Sequence, residues 1–258
     1  MTPQFVDTHC HFDFPPFCGN EVQSLDRAQA AGVEKIIAVG VTAERFAGVM
    51  ALAERHAPVY AALGVHPMAV HELEDEHLEQ LEAWLQKRHD KLVAIGEIGL
   101  DLFIDNPQFD RQEALLVAQL QLARKYDLPV ILHSRRTHDK LAMHLRRLDL
   151  PRRGVVHGFA GSEQQAQAFI RAGYCIGVGG TITYERASKT RRALSRLPLS
   201  SLLLETDSPD MSVQGFQGEP NRPERIYHVW QSLCELRDES PEEIADTLRD
   251  NTRRLFGL

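Results

Sequence analysis

Short runs of β-branched and aliphatic residues recur along this chain, and the stretches between them return an apolar residue every three or four positions. The runs suit buried strands and are too short for helices, while the intervening stretches suit helices packed along one face. Parallel strands cannot be joined by a tight hairpin and need a crossover, so this alternation points to βα units. Eight strands are predicted, at residues 5–8, 35–39, 59–65, 92–95, 130–132, 154–156, 174–178 and 202–205. Seven helices are predicted between them, at 24–31, 43–56, 78–88, 108–126, 137–148, 162–172 and 189–197, and two follow the last strand at 223–236 and 241–248. Asp75 and Ser162 can cap helix N-termini, and Gly32 and Gly173 fall where a helix C-terminus wants a residue tolerant of positive φ. Ser240-Pro241-Glu242-Glu243 opens the last helix with a capping serine, a proline at the first helical position and acidic first-turn residues.

Eight strands with intervening helices and a helical tail predict an α/β fold, a closed (β/α)8 TIM barrel. An open doubly wound sheet is disfavoured, because no Gly-rich dinucleotide fingerprint follows the first strand. With 258 residues, 43% of them hydrophobic, and no repeat or linker, one domain over 1–258 is expected. The net charge of −7 argues against holding polyanions through bulk field, so any nucleic-acid contact must come from local Lys and Arg. Cys10, Cys18, Cys175 and Cys234 show neither C-x-x-C spacing nor the density of a disulfide framework, which suits a reducing cytoplasm. No basic segment followed by an apolar stretch opens the chain, and no run approaches the roughly 20 apolar residues that span a bilayer. Neither a cleaved signal nor a membrane partner is therefore expected, and a monomer is the default.

In a parallel barrel the active site lies where strands end, so polar residues there carry more weight than those on helices. Strand one ends in Thr8-His9-Cys10-His11, strand three in Gly64-Val65-His66-Pro67, and strand four in Gly96-Glu97-Ile98-Gly99-Leu100-Asp101. Strand five ends in Leu132-His133-Ser134, strand six in His157, and strand eight in Glu205-Thr206-Asp207-Ser208-Pro209. His9 and His11, two apart in extended chain, point to one face, while Cys10 points to the helical layer and packs there. His9, His11, His133 and His157 with Glu97 and Asp207 make a nitrogen and oxygen donor set for zinc, manganese or a similar divalent ion. A single strand-end histidine is more often just hydrogen-bonded, so the force of the argument is in the set. His56, His71, His77, His89, His138, His144 and His228 fall in helices or loops and read as surface or packing residues.

These motifs, with Leu128-Pro129-Val130-Ile131-Leu132-His133-Ser134-Arg135 and His157-Gly158-Phe159, resemble the TatD family of metal-dependent deoxyribonucleases over nearly the whole chain. The resemblance implies an amidohydrolase-like barrel with two divalent ions, zinc, manganese or magnesium. His9, His11 and Asp207 would hold one, His133 and His157 the other, and Glu97 would bridge them. Asp207 is the expected proton acceptor for the attacking water, and Glu97 mainly a bridge. Asp7 and Glu205 lie two residues inward of ligands and are placed to accept hydrogen bonds from imidazole N–H groups. Arg135, and beside it Arg136, can fork onto phosphate, and His66 can touch it through its imidazole. Gly177-Val178-Gly179-Gly180-Thr181 would let backbone approach a substrate, or is simply a turn.

The chain departs from the family where a tyrosine after the strand-four aspartate and an aromatic after the strand-eight proline are common; here they are Leu102 and Asp210. Three functions stay open. The resemblance implies a phosphodiesterase, a 3′ exodeoxyribonuclease acting on DNA. Acidic balance and the missing aromatics favour a hydrolase of a small amide, ester or phosphoester. A non-catalytic metal-binding protein is the third.

Overall fold

Extended backbone forms where the aliphatic runs predict it, in a computed structural model that describes residues 3–258. Met1 and Thr2, which open the N-terminal reading above, lie outside the described residues. The strands are β1 (Phe5–Cys10), β2 (Val33–Val39), β3 (Val59–Leu63), β4 (Leu92–Asp101), β5 (Val130–Arg135), β6 (Gly154–Val156), β7 (Cys175–Val178) and β8 (Leu202–Leu204). Each pairs in parallel with its neighbours in chain order. The ends of the series meet: Asp207 N–H donates to His9 O at 2.8 Å and His11 N–H to Ser208 O at 2.7 Å. The result is the (β/α)8 barrel that the alternation predicts.

Around it lie α1 (Glu21–Ala30), α2 (Phe46–Arg55), α3 (Asp75–Gln86), α4 (Phe109–Tyr126), α5 (His138–Leu148), α6 (Glu163–Arg171), α7 (Ser188–Arg196), α8 (Ile226–Glu235) and α9 (Pro241–Phe256). Ser162 Oγ accepts from Gln165 N–H at 3.2 Å and Ser240 Oγ from Glu243 N–H at 3.1 Å, so both serines cap as expected. The cap of α3 is Glu74 and not Asp75, because Asp75 already has helical backbone. The last helix runs to Phe256, well past the predicted end at 248, since Asn251, Thr252 and Phe256 continue its buried face.

Two apolar layers follow from the period of two in each strand. Ile36, Ala38, Val130, Leu132, Leu202 and Leu204 face outward into a core shared with Phe46, Leu116, Phe169 and other helix residues. Full burial of a side chain such as Phe46 contributes about 1.5–3 kcal/mol. Ile37, Val39, Ile131, Val155 and Leu203 face inward and meet Phe256 inside the barrel. Continued by two or four residues, the inward register runs from Ile131 to His133, from Val155 to His157, and from Leu203 through Glu205 to Asp207. The same alternation that fills the barrel with aliphatic side chains therefore delivers polar ones to its rim.

Candidate metal centre

Among the strands, β4 is where prediction and structure differ most. Two glycines argue for an end near Ile95, yet the strand continues to Asp101 and every residue in it is buried. A Cβ on Gly99 would stand 1.9 Å from His133 O, so only glycine lets β4 press this closely on β5. The register between the two strands shifts between Ile95 and Ile98. Glu97 is thereby carried to the middle of the rim, with 3% of its surface exposed.

Its two oxygens face different groups. Oε2 lies 3.3 Å from His9 Nε2 and 3.5 Å from His11 Nε2. Oε1 lies 2.6 Å from His157 Nε2, 2.9 Å from His133 Nδ1 and 3.2 Å from His66 Nε2. Asp207 joins the first group, with Oδ1 3.3 Å from both His9 Nε2 and His11 Nε2. The two imidazole nitrogens are 3.4 Å apart. Four donors bound tetrahedrally at about 2.1 Å from one ion stand about 3.4 Å apart, so the spacing of this first group fits a divalent ion. His9, His11 and Asp207 form one donor set, and His66, Glu97 and His133 another.

Electrostatics say the same. Burial and His157 push His9 down, but the carboxylates of Glu97 and Asp207 outweigh them and raise it to about 9. Burial also opposes the charged forms of His133 and His157, yet Asp101 and Glu97 raise the first, and Glu97 and Glu205 raise the second well above the usual imidazole range. Burial likewise disfavours a charged Glu97, but His157, His66 and His9 hold it well below the ordinary carboxylate range. Hydrogen bonds from His11 and His9 hold Asp207 low against its burial. Such a cluster of anions wants positive charge within it, and a divalent ion supplies that charge while displacing protons from the imidazoles.

His66 differs from the other imidazoles in its tautomer. Met68 N–H donates to its Nδ1 at 3.0 Å, so the neutral ring carries its proton on Nε2. Burial pushes its pKa down and keeps it neutral. Distance alone groups His66 with Glu97 and His133, but a protonated Nε2 donates and does not ligate. The ring therefore presents an N–H, and not a lone pair, toward Glu97.

The TatD related DNase profile matches residues 6–257 of the chain. The chain belongs to the TatD family. It is 63% identical to the uncharacterized metal-dependent hydrolase YjjV of Escherichia coli, over all of both chains, and the crystal structure of YjjV superposes with a TM-score of 0.98. It is 33% identical to the 3′-5′ ssDNA/RNA exonuclease TatD of Rahnella sp., covering 94% of each chain. It is 31% identical to the human deoxyribonuclease TATDN3, covering 97% of this chain and 94% of that one. It is accordingly a metal-dependent hydrolase of this nuclease family.

Within this TatD site one residue escaped the sequence reading. Asp101, quoted in the strand-four motif without a role, places Oδ2 2.8 Å from His133 Nε2 and accepts from Phe103 N–H through Oδ1 at 2.7 Å. Its carboxylate, held below its ordinary range by the bond from His133 against burial, accepts from Nε2, so Nδ1, on the side of Glu97, is the nitrogen left to face an ion. The available signal was the four-residue spacing from Glu97, which keeps both on the inward face of a strand. The roles expected for Asp7 and Glu205 divide. Asp7 accepts from Thr206 N–H at 2.9 Å, Thr206 Oγ at 2.5 Å and His9 N–H at 3.3 Å. It therefore fastens β1 to the segment after β8, and it touches backbone and hydroxyl, not an imidazole. Glu205 does stand behind a rim imidazole, 3.5 Å from His157 Nδ1, and also accepts from Gly158 N–H. A Cβ on Gly177 would stand 2.4 Å from Glu205 Oε2, so this glycine makes room for a carboxylate.

Cys10 is fully buried in the outer core, as the alternation requires. His138 packs on Phe159 as a structural histidine, yet it also lines the cavity over the site and accepts from Ser134 Oγ at 2.7 Å. Arg135 lines the same cavity. Among the described residues no helix is long and apolar enough to cross a membrane.

Proposed function

We propose that this hydrolase cleaves phosphodiester bonds at the 3′ end of DNA, using two divalent ions. His9, His11 and Asp207 would hold one, His133 and His157 the other, and Glu97 both. The observation that carries this reading is the division of the Glu97 carboxylate, one oxygen toward each group of imidazoles. When bound, such a pair supplies Lewis-acid activation of water and neutralises charge on the attacking and leaving oxygens. Imidazole and carboxylate donors suit zinc and manganese, while magnesium favours a site richer in oxygen. The Rahnella exonuclease and the human deoxyribonuclease named above support the nucleic-acid substrate.

The chain's own residues then have distinct tasks. Asp207 is held in the left-handed region, φ 56°, by its N–H bond to His9 O, the kind of strain that persists where a site needs it. Oδ1 is turned to two imidazoles, and the ionised carboxylate lines the cavity, where it accepts the proton of the attacking water and returns it to the leaving oxygen. His66 donates its Nε2 proton to a phosphoryl oxygen. Arg135 adds a guanidinium to the same phosphate. Leu102 and Asp210 remain unlike the common family residues, but Phe103 restores an aromatic surface beside Leu102, half exposed and stacked under Arg135 with 3.6 Å from ring centre to guanidinium carbon.

The exposed Asp210 on the cavity wall favours a second reading, hydrolysis of a small phosphoester, because its charge opposes a polyanion there. The experiment that separates them is release of nucleotides from end-labelled single-stranded DNA with magnesium or manganese, run beside Glu97→Ala and a panel of small esters. Loss of 3′-terminal nucleotides by the parent and not by the variant is expected. Turnover confined to the small esters would replace the DNA reading.

A further inference from the structure

The cavity over the metal centre has a volume of about 1340 Å³, more than the roughly 300–1,000 Å³ of ordinary small-ligand pockets. Its wall is uneven in charge. The end of β5 and the first turns of α5 and α7 contribute Arg135, Arg136, Lys140 and Lys189. Where β1 and β8 end, the wall instead presents Phe14, Asp210 and Met211.

All four cations are exposed, and among the described residues none forms an ion pair. Asp139 and Asp101, the latter paired in register with Arg135 across β4 and β5 but engaged by His133, are the carboxylates beside them, and the two cannot balance four positive charges. The arrangement is also held in place. Phe103 lies under both guanidinium groups, 3.6 Å from that of Arg135 and 4.7 Å from that of Arg136. Arg136 has φ 60°, a conformation that costs a non-glycine residue free energy unless its surroundings require it. Clustered cations repel one another, and an anion among them relieves that repulsion.

A single scissile phosphate needs the metal centre and one or two donors. Four unpaired cations on one side of it exceed that need. We propose that Arg136, Lys140 and Lys189, with Arg135 left to the scissile phosphate, form a second anion subsite, which holds an adjacent phosphate. This deepens the phosphodiesterase reading and rests on it: the substrate carries at least one further phosphate, and its chain extends toward α5 and α7, away from Asp210.

Calorimetric titration of the manganese-loaded protein with thymidine 3′,5′-bisphosphate, thymidine 5′-monophosphate and thymidine 3′-monophosphate tests the subsite without turnover. The parent is expected to bind the bisphosphate about tenfold more tightly than either monophosphate, through charge-assisted contacts. The K140A/K189A double variant, changed only at exposed positions outside the metal centre, is expected to lose that preference and bind the monophosphates within about twofold of the parent. Its affinity for the bisphosphate should also depend less steeply on salt than the parent's, because two charges that attract the anion are gone. K140E/K189E should invert the preference. A parent without preference, or a double variant that keeps it, overturns the subsite. Hydrolysis of pdTpdT, which offers a further phosphate beside the scissile one, is measured alongside with the parent: no turnover with the charge preference intact would remove the phosphodiesterase reading and leave the subsite standing.

Discussion

The two halves of the rim are built from the same residue types but spaced differently. Around His9, His11 and Asp207 the donor atoms stand 3.3–3.4 Å apart, as ligands of one ion do. Around His133 and His157 the contacts to Glu97 are 2.9 and 2.6 Å, the lengths of hydrogen bonds. The first half is also locked by the barrel seam, where Asp7, Thr206 and Ser208 form a buried chain of hydrogen bonds. The second half opens on the cavity and depends on Asp101 for its orientation. Preorganisation is unequal: under the two-ion proposal an ion would enter the first half with little rearrangement, while the second would have to spread its carboxylate and imidazoles apart. Ions should therefore bind in sequence, the first half tighter.

The largest effect is expected at the residue the halves share. Glu97→Ala should lower kcat about 10³-fold or more, equivalent to several kcal/mol of transition-state charge stabilisation, and reduce bound metal below two ions per chain. Rates and elemental analysis check this, and activity within tenfold of the parent would break the idea of a shared bridge. Next, Asp101→Asn should weaken metal affinity about 10–100-fold, as loss of an outer partner of a ligating imidazole does. The comparison is sharpened if only the weaker of two binding steps moves; equal weakening of both would show that the halves are not independent.

A smaller, graded effect follows from protonation. With His9 raised to about 9, an ion entering the first half must displace its proton. Affinity for the tighter ion should rise by up to about tenfold per pH unit below that value, with proton release seen in weakly buffered calorimetry. The stability of metal-stripped protein moves the other way. A raised imidazole pKa contributes stability in full below the unfolded value of 6.5 and loses it as pH rises through about 9. Melting of stripped protein should therefore fall across that window while metal-loaded protein holds. A flat profile in both forms would remove the charge argument.

The smallest effect concerns the seam. Burial raises Asp7 from 3.8 to about 7, against the hydrogen bonds from Thr206 and His9. Its folded pKa is raised, so the stability it contributes is complete below 3.8 and is lost as pH rises through about 7. Asp7→Asn keeps the shape and removes the titration, and should flatten the melting profile between those values with activity nearly retained. Loss of metal from this variant would instead place Asp7 in the site.

How much of this was readable beforehand depends on whether a feature is local. The run Gly154–Val156 reads as a strand because three residues between turn signals can do little else, and it is one. The serine caps follow from contacts three residues apart. Among the residues that meet at the rim, His9 and His11 declared themselves through spacing, and His133, His157 and Asp207 through their places after aliphatic runs. Asp101 did not, because its partner His133 is 32 residues away, and the strand that aligns them continues through glycines that read locally as an end. His66 needed its tautomer, which depends on the Met68 N–H.

The sequence by itself determined the alternation, and with it the eight strands, the barrel and the side of it on which chemistry collects, because period and length are properties of neighbouring residues. Tertiary structure alone decided how the carboxylate of Glu97 divides between two groups of imidazoles, which acids back a ring and which fasten the seam, and that four cations share one wall. Those are relations among residues tens of positions apart, at distances of a few ångströms that no local pattern encodes.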